Sequence, residues 1–117
     1  MRQTIPDLEV IDELYYYDHP IVFTAMVLGE IRLVRLGGGD MRSQTFMVSS
    51  PSPDMLQELA ENRLPLRDAS LVAPLFRVVS EYGRGATTIE AVESWPDDAL
   101  PEPGRTLYHW VADPIEP

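Results

Sequence analysis

Two histidines, His19 and His109, are the only imidazoles in the chain, and Asp18 directly precedes the first of them. An Asp–His pair can orient an imidazole as a general base or hold a metal, because the carboxylate fixes the ring's tautomer. A mononuclear site would join His19 and His109 to Asp18 or Asp40. Neither a His-x-x-x-His spacing nor a facial-triad pattern accompanies them. Asp18-His19-Pro20 fits a turn better, since Asp and Pro are turn formers and Pro20 restricts His19.

The other reactive types fare similarly. Ser49, Ser50 and Ser52 lack a Gly-x-Ser-x-Gly elbow, and Ser52 suits a helix cap. Gly37-Gly38-Gly39-Asp40 would need to feed a helix N-terminus to cradle a phosphate. Its flanks look like strands, so it reads as a flexible loop tip in a hairpin. All nine bases are Arg, which removes a Schiff-base or P-loop lysine. The absence of Cys removes thiolate nucleophiles and disulfides, and it fits a reducing compartment. No catalytic residue, metal or cofactor is expected.

Aromatic residues are the stronger signal. Tyr15, Tyr17, Tyr82 and Trp110 are the candidate partner-binding residues. On a strand, Tyr15 and Tyr17 share one face while Tyr16 takes the other, so one set lies outside the core or beneath another element. Exposed aromatics are common interface anchors. A cover formed by Trp95, Leu107 and Trp110 is the competing explanation.

The net charge is −10 over 117 residues. Five acids stand against Arg2 in residues 1–18, seven against Arg105 in residues 90–117, and the middle is neutral. Such ends repel nucleic acid and anionic membrane and favour a basic partner; solubility alone also accounts for them. No apolar run approaches the ~20 residues that cross a bilayer, and the N-terminus lacks a signal-peptide core. The chain reads as cytoplasmic.

The elements that carry these residues follow from periodicity. Leu8 to Tyr17 reads as a strand, and Ile21 to Leu28 as a central strand covered on both faces. A turn at Gly29-Glu30 leads to a strand from Ile31 to Leu36, and Gln44 to Val48 completes a meander. Ser52, Pro53 and Asp54 then form a helix start. Met55, Leu56 and Leu59 share a face, and the helix should end near Asn62 or Arg63 because Pro65 disfavours helix at Leu64. Leu66-Arg67-Asp68-Ala69 suits a second short helical turn, with Arg67 and Asp68 fixing the path out of the helix. Leu75 to Ser80 and Thr87 to Glu93 read as a hairpin, and Thr106 to Val111 as a last strand. The expectation is one domain over 1–117, Pro-rich and partly irregular over 96–117. Its class is α+β: a mainly antiparallel sheet of about six or seven strands, with one main helix at about 53–62 packed on one face.

Tyr15-Tyr16-Tyr17-Asp18-His19-Pro20-Ile21-Val22-Phe23 resembles the opening of a family of small bacterial domains of unknown function, in which an aromatic–Asp–x–Pro segment enters an apolar strand. Leu64-Pro65-Leu66-Arg67-Asp68-Ala69 is similar to that family's segment after its helix. The resemblance covers about residues 8–72, departs at the glycines 37–39, and implies an α+β fold without supplying an activity.

The functional expectation is a non-enzymatic interaction domain for another, basic protein. An accessory, immunity or antitoxin-like role in a bacterial operon fits its size and charge. A small enzyme using Asp18 and His19, and a self-associating homodimer, are the alternatives.

Overall fold

The computed structural model describes residues 2–6, 8–17, 19–39, 43–81, 86–96 and 100–101, with backbone alone at 2, 15–17, 19–21, 38, 39 and 86. Among these residues the fold is α+β: a seven-stranded antiparallel sheet with two helices inserted between its fifth and sixth strands. The strands are β1 (Arg2–Ile5), β2 (Val10–Tyr17), β3 (His19–Val27), β4 (Glu30–Gly39), β5 (Ser43–Ser49), β6 (Leu75–Glu81) and β7 (Ala86–Val92). The helices are α1 (Pro53–Ala60) and α2 (Leu66–Ser70).

Strands β2 to β7 form a continuous meander, and β1 adds to the far side of β7, giving the order β1-β7-β6-β5-β4-β3-β2. Strands consecutive in sequence, β1 and β2, therefore sit at opposite ends of the hydrogen-bonded order. A flat sheet of this size would be roughly 29 Å wide. The chain from Ile5 to Val10 spans at most about 18 Å, so the sheet must curl until its edges approach.

The buried residues show which face lies inside. Ile5 and Leu8 pack against the same cluster as Phe23, Ala25 and Val27 of β3, together with Val34, Val48, Val78 and Ile89. One cluster drawing on both margins of the sheet fills the concave side. Phe23 and Phe46 meet edge to face there, with ring centroids 6.0 Å apart, a favoured aromatic geometry. On the convex side, Val22 and Leu33 form a second cluster with Leu59 of α1 and Leu66 and Ala69 of α2.

Local chemistry explains the helical layer. Ser52 Oγ accepts from Met55 N at 3.2 Å, and Pro53 and Asp54 occupy the first turn. The helix ends at Ala60, slightly earlier than the Pro65 argument places it. Asn62 adopts φ 63°, Arg63 N donates to Glu58 O and Asn62 N to Leu59 O. These paired bonds form a Schellman stop in which Asn takes the position glycine usually fills. In α2, Ser70 Oγ donates to Leu66 O at 2.7 Å.

Several sequence expectations need correction. The glycines 37–39 are not a loop tip: Gly38 and Gly39 pair with Thr45 and Gln44, and the register shifts between Leu36 and Gly38. A Cβ on Gly37 would lie 2.8 Å from Met47 Cε, so a small residue at this irregularity lets Met47 close over the strand. The turn after β3 is Leu28-Gly29, with Glu30 already in β4. Strand β3 is not central, since only β2 lies beyond it, although Val22 to Ala25 are buried on both faces. The N-terminal segment, given no element from sequence, supplies β1. The expected strand at 106–111 lies outside the described residues.

Candidate functional site

The convex face is covered unevenly. Along β3, Val22 and Thr24 are buried while Met26 is 54% exposed; along β4, Leu33 is fully buried and Ile31 is 48% exposed. Met26 and Ile31 are direct partners across the β3–β4 ladder, so their side chains stand together on one face. The helical layer therefore stops one residue pair short of the hairpin end.

The hairpin tip continues this apolar surface. Val27 pairs with Glu30 across a two-residue turn, in which Leu28 has φ 52° and Gly29 φ 85°. Positive φ at both positions is the type I′ pattern, which favours Asn-Gly. Leucine there meets the Cβ clash of the left-handed region, of order 1–2 kcal/mol. Leu28 is nevertheless 45% exposed.

Strand β2 brings Val10 and Ile11 to the same end, both exposed. Val10 pairs with Ala25 and Asp12 with Thr24, leaving Ile11 as the extra residue of an irregularity. Thr24 Oγ1 accepts from Asp12 N at 3.1 Å and holds this irregularity in place. Of the exposed carboxylates at this end, Asp12 shares the convex face through its pairing with Thr24, whereas Glu13 and Glu30, opposite Phe23 and Val27, stand on the other face.

Arg32 anchors this end from the concave side. Its Nε donates to Val27 O at 2.9 Å, Nη1 to Ser50 Oγ at 2.5 Å and Nη2 to Glu30 Oε2 at 2.9 Å. The guanidinium carbon lies 5.1 Å from the Phe76 ring centroid, within cation–π range. Ser50 Oγ donates onward to Pro74 O at 2.7 Å, and Ser50 N donates to Val72 O at 2.9 Å. This network ties the β3–β4 turn, the end of β5 and the segment after α2 together. Leu71, next to Val72, is also exposed. The hairpin end is thus apolar on its surface and rigidly braced beneath.

Arg35, further along the convex face, is a second buried cation. Burial pushes its guanidinium down to about 10, well below the ordinary arginine value, because desolvation disfavours charge. Its Nη2 lies 3.5 Å from Met47 Sδ. Arg77 and Glu90 form a cross-strand ion pair on the exposed convex surface.

Tyr15 and Tyr17 lie in β2 opposite Val22 and His19, at the other end of that strand from Val10. Their side chains, and all of Asp18, Asp40, Tyr82, His109 and Trp110, lie outside the described residues. His19 and Pro20 belong to β3, Pro20 opposite Tyr16. The pairing of His19 with His109 that the sequence analysis weighed against a turn therefore has no described geometry, and among the described residues no three His, Asp or Glu side chains gather to hold a metal. Arg67 Nη1 donates to Pro101 O at 3.1 Å, anchoring the later chain to α2, while Asp68 O accepts from Leu71 N.

Sequence reasoning missed Met26, Leu28 and Ile31 because each extends an apolar run that suits a buried strand. The available signal was Leu-Gly at a two-residue turn, where a polar residue is favoured. No helix among the described residues is long and apolar enough to cross a membrane. No protein-family model matches the chain, and the comparisons with curated proteins and solved structures found no match.

Proposed function

We propose that the chain is a non-enzymatic protein-interaction domain that docks a basic protein through the exposed end of the β3–β4 hairpin. The observation that carries this reading is Leu28: an exposed leucine in a left-handed turn position, where asparagine would relieve the backbone. A costly conformation held at a surface apolar residue is the pattern expected where that side chain meets something else. Met26 and Ile31 beside it widen the surface, and Arg32 keeps it fixed without further ordering.

The charge pattern supports a basic partner. Glu9 and Asp12 lie exposed at the β2 margin of the apolar residues, whereas the local guanidinium of Arg32 is buried and paired with Glu30. Complementary charge accelerates encounter and rejects acidic partners. It also disfavours anionic membranes and nucleic acid. An accessory or antitoxin-like role is compatible with such binding.

Photo-crosslinking inside the source cell tests the proposal. A photoreactive residue at Ile31 should capture a basic protein, and the same residue at Ala60, exposed on α1, should not. Equal capture from both positions, or none from Ile31, would refute it. An adduct of twice the chain's mass would replace it with self-association.

A further inference from the structure

Resting on that reading, we infer that the partner element seated on this surface is an amphipathic helix with Lys or Arg along the margins of its apolar stripe.

Three observations select this occupant. The convex face is already layered with helix where α1 and α2 cover Val22 and Leu33, and coverage lapses at Met26 and Ile31. Strands β2, β3 and β4 at ~4.8 Å spacing span roughly 10 Å, about the rise of seven helical residues. A helix laid across them would extend the helical layer, placing anchors spaced i, i+4 and i+7 over the start of β2, Met26 and Ile31.

Strand addition fits less well. The margin nearest the surface is β2, whose register shifts between Val10 and Asp12, between Glu13 and Tyr15, and between Tyr15 and Tyr16. Those irregularities interrupt the regular ladder that an added strand would copy. The apolar residues also lie across strands rather than along one.

Charge fixes the helix's chemistry. Asp12 pairs with Thr24 and so stands on the convex face, and Glu9 lies exposed just before it at the same margin. Lysines or arginines flanking an apolar stripe meet these carboxylates at the rim, where they add rate and orientation. The same carboxylates disfavour a second copy of this chain, because its surface at this position is equally acidic.

Two synthetic amphipathic helices of about five turns serve as probes, one built from Leu and Lys and the other from Leu and Glu. Binding to the full chain is measured by fluorescence anisotropy at low and physiological ionic strength. The Leu–Lys helix should bind and the Leu–Glu helix should not. Met26→Ser with Ile31→Ser, both at exposed positions, should weaken binding about tenfold while circular dichroism stays unchanged. Glu9→Gln and Asp12→Asn together should weaken it severalfold and flatten its salt dependence.

Failure of the Leu–Lys helix to bind, equal binding of both helices, or equal affinity for the serine variant would each overturn the inference. Sedimentation separates the two levels of the proposal. A dimer that dissociates on Met26→Ser/Ile31→Ser would overturn the helix while keeping this face as an interface. A nuclear Overhauser contact between the Met26 methyl and Leu107 or Trp110 would make the chain's own later residues the cover, overturning both.

Discussion

Replacing Leu28 with asparagine should relieve the turn and make the protein a poorer binder. Leu28 sits at φ 52° in a two-residue turn closed by the Val27–Glu30 pair. Leucine in that conformation carries a clash of about 1–2 kcal/mol, and asparagine tolerates it better. Relief of roughly 1 kcal/mol is worth about 3–5 °C of Tm in a domain of this size. Leu28 is 45% exposed, so asparagine also forfeits the packing of the buried half, which is of similar size, and Leu28→Asn should melt close to the parent. A partner that covers the exposed part gains about 1 kcal/mol, so Leu28→Asn should weaken binding of the Leu–Lys helix roughly fivefold. Leu28→Ala separates the effects, because it keeps a Cβ in the strained conformation but loses the apolar reach. It should lower affinity similarly and melt about 3–5 °C below Leu28→Asn, since it loses the packing without the relief. Differential scanning calorimetry and anisotropy on the three proteins give the answer. If Leu28→Asn melts no higher than Leu28→Ala, or leaves affinity untouched, the link between turn strain and docking is wrong.

Other substitutions test the frame beneath the surface. Arg32→Met keeps the side-chain volume but removes the donors to Val27 O and Ser50 Oγ, so it should lower stability by about 2–4 kcal/mol in urea denaturation; a loss below ~1 kcal/mol would mean that the network contributes little. Arg35 has its folded pKa pushed below the unfolded value, so both states stay protonated at neutral pH and its contribution to stability is constant there. Arg35→Lys starts from about 10.4, and burial would move it toward neutrality. The folded state then loses its proton first, and the variant's stability relative to the parent should rise between pH 7 and pH 9; a flat or falling difference contradicts this. Ser52→Ala removes the acceptor for Met55 N and should cost about 1 kcal/mol, read as a lower denaturation midpoint.

Much of the architecture was legible because alternation and punctuation are local. The capped start at Ser52, the apolar stretch from Ile21 and the paired strands around Gly83 and Gly85 all declare themselves within a few residues. The exceptions are non-local. Arg2–Ile5 is too short to signal a strand, and becomes one because β7 offers Thr87 to Glu90 as partners. Gly37 looks like part of a loop, and its place in β4 depends on Met47 crossing over it. The surface at Met26, Leu28 and Ile31 was invisible for the same reason: a strand residue's exposure depends on where the helical layer ends, and that end is set by the Schellman stop at Asn62 and the turn into α2.

Topology also bears on how the domain avoids the wrong partners. A curled seven-stranded sheet with β1 and β2 at its margins has two strand edges through which copies could stack. One of these, β1, has only four residues. The other, β2, is interrupted by three register shifts and carries Asp12 and Glu13. Neither offers a long, regular ladder to a second acidic chain. The apolar residues at the hairpin end stand instead on a face, braced by Arg32 and bordered by carboxylates. Face docking allows an apolar contact without opening the sheet to edge pairing, and that separation explains why irregularity is concentrated in β2 while the six residue pairs of β3 with β4 run in unbroken register.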